Sequence, residues 1–291
     1  GFHVLRRPAA GELAYLARRL MSLAKRLAFR RGVRMDGVDD IYFAPFSRQI
    51  AALHARRRYD VAIAVYVYSS RALEALARPC LRVLDTLDSS AHEIPPGEER
   101  RALARADVVL AIQDEEAAAF RRLLGSDAGK VCMVSHMPPP RTALCVEQTI
   151  GATFVGSAFE ANRSALGYFV DHVLPLVLAE APAFRLVVAG PIAGEAPDHP
   201  AIVKLGACDD IAEAYARAPV ALNPVLSGTG IKIKLLDALA LGVPVVSTAF
   251  GLTGVPQEAL GGVAAIPDRD APAFAAAVLR LQLQVQFGAL A

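Results

Sequence analysis

Short runs rich in Val, Ile, Leu and Phe alternate with helix-patterned segments along most of the chain, and this alternation most limits what the chain can fold into. Before residue 136 the apolar runs are "IYFAPF" (41–46), "DVAIAVYVY" (60–68), "LRVLD" (81–85), "DVVLAI" (107–112) and "KVCMVS" (130–135). The clearest helix between them is "DEEAAAFRRLLG" (114–125), with Asp114 expected as N-cap and Gly125 as stop. After residue 150 the pattern is cleaner: "ATFVGS" (152–157), a long helix ending near Glu180, "FRLVVAG" (184–190), "AIVKLG" (201–206), a helix in 208–218 that Asp209 is expected to cap, "VALNP" (220–224), a helix from about 231, "VPVVST" (243–248), "GGVAAIP" (261–267) and a last helix from about Asp270. Strands separated by helices of this length pair in parallel, because the chain must cross over a sheet face to return. Two doubly wound α/β domains are expected, with ligands at the carboxyl ends of the strands.

Between the halves, "SHMPPPRTALCVEQTI" (135–150) loses all periodicity and holds three consecutive prolines. The expected division is residues 1–140, a linker over 141–150, and residues 151–291, and His136 reads as part of a hinge. A chain of 291 residues suffices for two such domains. The first is expected to be incomplete or reduced, since residues 1–40 show no clear opening strand with a glycine-rich turn.

A net charge of +2 speaks against a generic nucleic-acid binder. The four cysteines, Cys80, Cys132, Cys145 and Cys208, form no C-x-x-C pair, so neither a metal site nor a disulfide framework is expected. That usage fits the cytoplasm. Neither a membrane-spanning run nor a signal-peptide pattern is present in this sequence. Residues 1–31 nonetheless carry eight basic side chains against Glu12 alone, and Leu13, Leu16, Leu20, Leu23 and Leu27 form one helical stripe. Two readings stay open: residues 11–31 lie on anionic lipid at the inner face of a membrane, or the leucines pack on the first sheet.

Three glycine loops follow strands of the second half: "VGS" (155–157), "AGP" (189–191) and "SGTG" (227–230). The last runs into a helix carrying Lys232, Lys234 and Asp237. Gly228 and Gly230 allow backbone N–H groups close to an anion, and Thr229 adds a hydroxyl. Lysines in a first helical turn oppose the helix dipole unless an anion sits there, whereas an acid two turns in is placed to accept from sugar hydroxyls. An ordinary crossover loop with solvated lysines reads equally from the local pattern. The G-x-x-x-x-G-K-[ST] and G-x-G-x-x-G forms are both missing, which counts against a P-loop NTPase and a standard dinucleotide fold.

In the order "FVGS", "NRSAL", "RLVVAG", "VKLGACDDIAEAYARAPVALNPVLSGTGIKIKLLDALALGVPVVST", "FGLTG", residues 151–268 resemble the nucleotide-binding half of GT-B glycosyltransferases of group 1, family 4. The first half matches more loosely, through "RADVVLAIQDEEAAAF" and "KVCMVSHMPPP". The resemblance implies two Rossmann-like domains and a nucleotide-diphosphate sugar in the cleft between them. It places Asp237 where the family usually has a glutamate holding the ribose. Gly156 and Ser157 fall under the diphosphate, with Arg163 or Lys232 and Lys234 as its cations, and Leu205 and Gly206 flank the base. A second family acid, eight residues earlier, is Thr229 here. Transfer with retention, no protein nucleophile, no metal and no cofactor beyond the donor are the implied chemistry, with a glycan or lipid-linked acceptor.

The loop "DTLDSSAHEIPP" (85–96) gathers Asp88 and His92, the candidates to orient an acceptor hydroxyl, although the same residues are common turn formers. Two rivals share the pattern: a nucleotide-sugar epimerase of GT-B fold, and a non-catalytic binder of sugar nucleotides.

Overall fold

The computed structural model describes residues 36–91, 93–138, 144, 151–228 and 230–286. The chain divides into two compact units, up to Ser135 and from His136.

In the first unit, helix α1 (Pro45–Arg57) precedes strand β1 (Val61–Val65), followed by a 3-10 stretch and β2 (Leu81–Asp85). Helix α2 (Pro96–Ala104), β3 (Val108–Ala111), α3 (Asp114–Leu124) and β4 (Val131–Met133) complete it. The strands pair in parallel in the order β1-β2-β3-β4. Each crossover thus steps one strand in the same direction, and the described residues supply one wing of a doubly wound sheet. Leu84, Val109 and Phe120 lie fully buried at its centre.

Two local expectations fail here. Residues 41–46 form turns into α1 rather than a strand, because Pro45 lacks the N–H a ladder needs and its fixed φ suits a helix start. The N-cap of α3 is Gln113, not Asp114, and makes no side-chain cap bond. Instead Asp114, Glu115 and Glu116 fill the first turn, where negative charge complements the helix dipole. Gly125 ends the helix with φ +59 as expected.

The second unit has six parallel strands: β5 (Ala152–Val155), β6 (Leu186–Ala189), β7 (Ile202–Gly206), β8 (Ala221–Asn223), β9 (Val245–Thr248) and β10 (Val263–Ile266). Their order is β10-β9-β8-β5-β6-β7. The chain winds outward from β5 to β7, then returns to the other side of β5 with β8. That reversal makes a switch point between β5 and β8, where two loops leave the sheet in opposite directions and open a crevice. Helices α4 (Glu160–Tyr168) and α5 (Leu174–Glu180) form the expected long helix, interrupted by a π-turn over Phe169–Val173. Pro175, without an N–H, accounts for the irregularity. Helices α6 (Ile211–Tyr215), α7 (Ile233–Ala240) and α8 (Ala271–Gln286) follow. Asp210 rather than Asp209 caps α6, accepting from Ala212 N–H at 2.9 Å. Phe154, Phe169, Phe184 and Phe274 anchor the core, with Phe169 and Phe274 edge to face at 6.0 Å.

His136 belongs to the second unit. His136 sits beside Asp237, and Leu144 N–H donates to Leu241 C=O at 3.1 Å. Among the described residues no helix is long and apolar enough to cross a membrane. The basic stripe over 11–31 lies outside the described residues.

Candidate functional site

The switch-point crevice is built first of glycines. Gly156, just past β5, donates its N–H to Ala189 C=O at 3.0 Å and accepts from Ile192 N–H at 3.2 Å. Gly190 has φ +86, and a Cβ there would lie 2.4 Å from the Gly156 carbonyl. Gly190 N–H in turn reaches Gly206 C=O at 2.6 Å. Gly156, Gly190 and Gly206 therefore form a rung across the carboxyl ends of β5, β6 and β7, and a side chain at Gly190 would push it apart. Leu205 and Gly206 stand on β7, two strands out from β5.

Lys234 occupies the middle of the site. It lies in the first turn of α7, partly buried, with its Nζ 2.7 Å from Asn162 Oδ1 and 4.7 Å from the centre of the Phe154 ring. Burial, with the neighbouring charge of Lys232, pulls its pKa down to about 8. Among the described residues no carboxylate pairs with it. Asn162 also donates to the Ser157 carbonyl at 2.9 Å and to Ser157 Oγ at 3.2 Å, and it packs over Gly156, where a Cβ would meet it at 3.1 Å. One amide therefore ties the β5 loop to the α7 lysine.

The loop into α7 has Gly228 at φ +112 and Gly230 at φ +69, both in the left-handed region. Lys232 Nζ donates to Gly230 C=O at 2.7 Å and lies 5.5 Å from the centre of the Phe250 ring. Phe250 is held by a buried network in which Asn223 Nδ2 donates to Ser247 Oγ at 2.9 Å and to Gly251 C=O at 3.0 Å. Lys232, at the N-cap of α7, makes no side-chain cap bond, while Ile233 N–H donates to Ile231 C=O at 3.1 Å and Leu235 N–H to Lys232 C=O at 2.9 Å. Thr229 lies outside the described residues. Asp237 follows Lys234 by three positions, hence on a neighbouring part of the same helix face. Tyr215 donates its hydroxyl to Lys234 C=O at 2.7 Å, and burial with the nearby Asp237 charge raises its pKa.

Arg163 points elsewhere. Its guanidinium forms a bidentate pair with Glu195 at the surface, Nη2 to Oε1 at 2.8 Å, and Glu160 lies 3.8 Å away. Of the cations considered in the sequence, the lysines are at the crevice and Arg163 is committed to carboxylates. Asn162, Phe154 and His136 are site neighbours that the pattern did not single out. The only available hint was the "N" of "NRSAL", one residue before the arginine.

In the first unit, Asp88 stands at the carboxyl end of β2, after Leu87 with φ +55. A bulky residue in that region is held there by its surroundings. The holder is Glu116, buried at 3% exposure, which accepts from Ser89 N–H at 2.8 Å and Ile112 N–H at 3.3 Å. Burial, followed by its hydrogen bond with Asp88, pushes Glu116 up to about 7. Glu99, also buried, accepts from Ser90 N–H at 2.8 Å. His92 lies outside the described residues.

Residues 150–283 match the protein family described as Glycosyl transferases group 1. The chain is 31% identical over 114 residues to an uncharacterised 44.6 kDa protein in the cps region of Klebsiella pneumoniae, covering 35% of this chain and 29% of that one. Its fold is similar to a complex of S. aureus TarM with fondaparinux, α-GlcNAc-glycerol and UDP, with TM-score 0.61 and 11% identity over 80% of this chain and 51% of TarM. HepE of Anabaena with UDP and glucose gives TM-score 0.59 and 14% identity over 83% of this chain and 73% of that one. Sucrose-phosphate synthase of Thermosynechococcus elongatus gives 0.60 and 19% over 85% and 70%. The chain spans about half the length of TarM and under a third of the Klebsiella relative. The second unit thus matches the group 1 glycosyl transferase family, and the chain shares its fold with these structures.

Proposed function

We propose that the chain binds a nucleotide-diphosphate sugar at the carboxyl ends of β5 and β8 and transfers the sugar to a glycan or lipid-linked acceptor with retention. The observation that carries this reading is Lys234, a partly buried cation with no carboxylate partner among the described residues. A buried ammonium without a counter-ion is costly, so a fold that keeps one is arranged for an anion that arrives later. The diphosphate would meet Lys234 and Lys232 at the start of α7, which together offset the negative charge that grows on the leaving group. No cofactor beyond the donor is required by this arrangement. Asp237 would accept from the ribose, with Gly156 and Ser157 under the diphosphate and Leu205 and Gly206 beside the base. In the first unit Asp88 is the candidate to hold the acceptor hydroxyl.

The UDP named in the HepE and TarM complexes supports a nucleotide ligand, and the cps-region relative supports a role in polysaccharide synthesis. A lipid-linked acceptor would go with peripheral contact of residues 11–31 at the cytoplasmic face of a membrane.

The test is a thermal-shift screen against UDP, GDP, ADP, TDP and CMP and their sugar conjugates, followed by titration of the ligand that stabilises. A ligand bound only by the folded state raises the midpoint. Asp237→Ala is expected to weaken the selected nucleotide at least about tenfold through loss of charge-assisted hydrogen bonds. Unchanged affinity would remove Asp237 from the site, and binding without donor hydrolysis or transfer would move the chain to the non-catalytic reading.

A further inference from the structure

We propose that His136 is a second ribose-contacting residue, engaging one hydroxyl of the diol whose other hydroxyl Asp237 accepts; this rests on the nucleotide-binding reading above. His136 Nε2 lies 3.5 Å from Asp237 Oδ1. That atom is shielded from solvent and has no hydrogen-bond partner among the described residues. The ring as a whole is 37% exposed and the Asp237 carboxylate 21%, so both groups present an open side while their polar atoms face one another.

At 3.5 Å the two atoms are close enough to be partners of one small group and too far apart for a strong bond between themselves. A shielded imidazole nitrogen left in that condition loses hydration with no full return, which marks a position completed by something else. Leu144 N–H binds the Leu241 carbonyl at the end of the same helix.

Charge selects the kind of group that fits. A phosphate is repelled by the Asp237 carboxylate, and its place is one turn earlier on α7 beside Lys234 and Lys232. A neutral vicinal diol suits the pair: one hydroxyl donates to the carboxylate, and the adjacent one pairs with Nε2, which accepts or donates according to tautomer. Three helical residues separate Lys234 from Asp237, about 4.5 Å along the axis, a short step from a phosphate to its own sugar.

The experiment titrates the full chain with whichever of UDP, GDP and ADP the screen selects, and with its 2′-deoxy and 3′-deoxy forms. The unmodified chain is expected to lose about tenfold in affinity when either hydroxyl is removed. His136→Ala is expected to bind the ribonucleotide about tenfold more weakly, and to lose its discrimination against one deoxy form while keeping it against the other. His136→Gln, which keeps a hydrogen-bonding end, should recover part of both. Equal weakening of all three ligands by His136→Ala would assign the residue a purely structural role and overturn the proposal, as would no change. Failure of the unmodified chain to bind any of the nucleoside diphosphates overturns the donor-site reading and this one with it. Intact nucleotide binding with unaltered hydroxyl discrimination in His136→Ala overturns only this one.

Discussion

Glu116 in the first unit and Lys234 in the second stand near the carboxyl ends of their sheets, and the two are treated in opposite ways. In the first unit Glu116 accepts from two backbone N–H groups and is hydrogen-bonded to Asp88. In the second, Lys234 has an amide oxygen, a ring face and a like-charged neighbour. The acid is completed from within, and its burial shapes the 86–90 loop. The amine is left with charge to spare. Burial alone therefore does not mark a binding group; the inventory of partners does.

The widest separation between the two is expected from Lys234→Met. Loss of the ammonium should weaken nucleoside diphosphate binding about 100-fold, since charged hydrogen bonds to a desolvated phosphate are lost. The unliganded variant should melt no lower than the unmodified chain, because an uncompensated charge has been removed. The unmodified chain should also show a pH signature. Lys234 deprotonates near 8 when the site is empty, and a bound diphosphate raises that value. Binding above pH 8 must then take up a proton, and affinity should fall about tenfold for each further pH unit. Calorimetry across pH 6–10, approximate limits set by the group's range, reads both effects. A large loss of folding stability in Lys234→Met, or flat binding through pH 9, would make the lysine structural and erase the contrast.

Glu116 offers the complementary experiment, smaller in size and opposite in kind. Its pKa moves from an ordinary 4.5 to about 7 on folding, so between those values the folded chain holds the proton more tightly than the unfolded one. Its contribution to stability is complete below about 4.5 and is lost as pH rises through about 7. Glu116→Gln, permanently neutral, should flatten this part of the melting profile between pH 5 and 8, to within about a degree or two of slope. The paired Asp107 does not obscure the window. Hydrogen bonds from Arg82 come first among the forces holding its carboxyl well below the usual range, so its own contribution disappears only in stronger acid. A Glu116→Gln profile as steep as the original would mean that the acid is not the proton holder.

The strand–helix alternation carried most of the second unit, because parallel crossovers repeat a strong signal and glycines punctuate each carboxyl end. All six strands fall within the runs quoted from the sequence. Residues 41–46 misled because Ile41, Tyr42 and Phe43 have strand-like side chains, while Pro45 decides the backbone. Gly228, Gly230, Lys232, Lys234 and Asp237 were legible as one short motif. Asn162 and His136 were not, since each reaches the site across more than 70 residues of chain, and no local period encodes such an approach. Glu116 was hidden for another reason: three acids in a helix start look like dipole complementation, and only the tertiary fold buries the third.

Arg163 gives the finest test of the partner argument. In sequence it is as good a phosphate cation as either lysine, six residues past the "VGS" loop and more strongly basic. In the structure it lies at the surface and is claimed by Glu195, whose pKa it lowers, with Glu160 adding a further carboxylate. An exposed pair of this type adds little to stability and screens its own charge. Arg163→Ala should therefore leave nucleotide affinity within about twofold of the unmodified chain, and the melting temperature nearly unchanged. Glu195→Ala is the sharper half of the pair, because it frees the guanidinium without removing it. If affinity then rises while Arg163→Ala alone is silent, the arginine is a cation withheld by its partner; if both are silent, proximity in the sequence never amounted to proximity to the phosphate. A loss in Arg163→Ala comparable to that of Lys234→Met would show that ion pairing in the unliganded chain does not predict which cation the diphosphate takes.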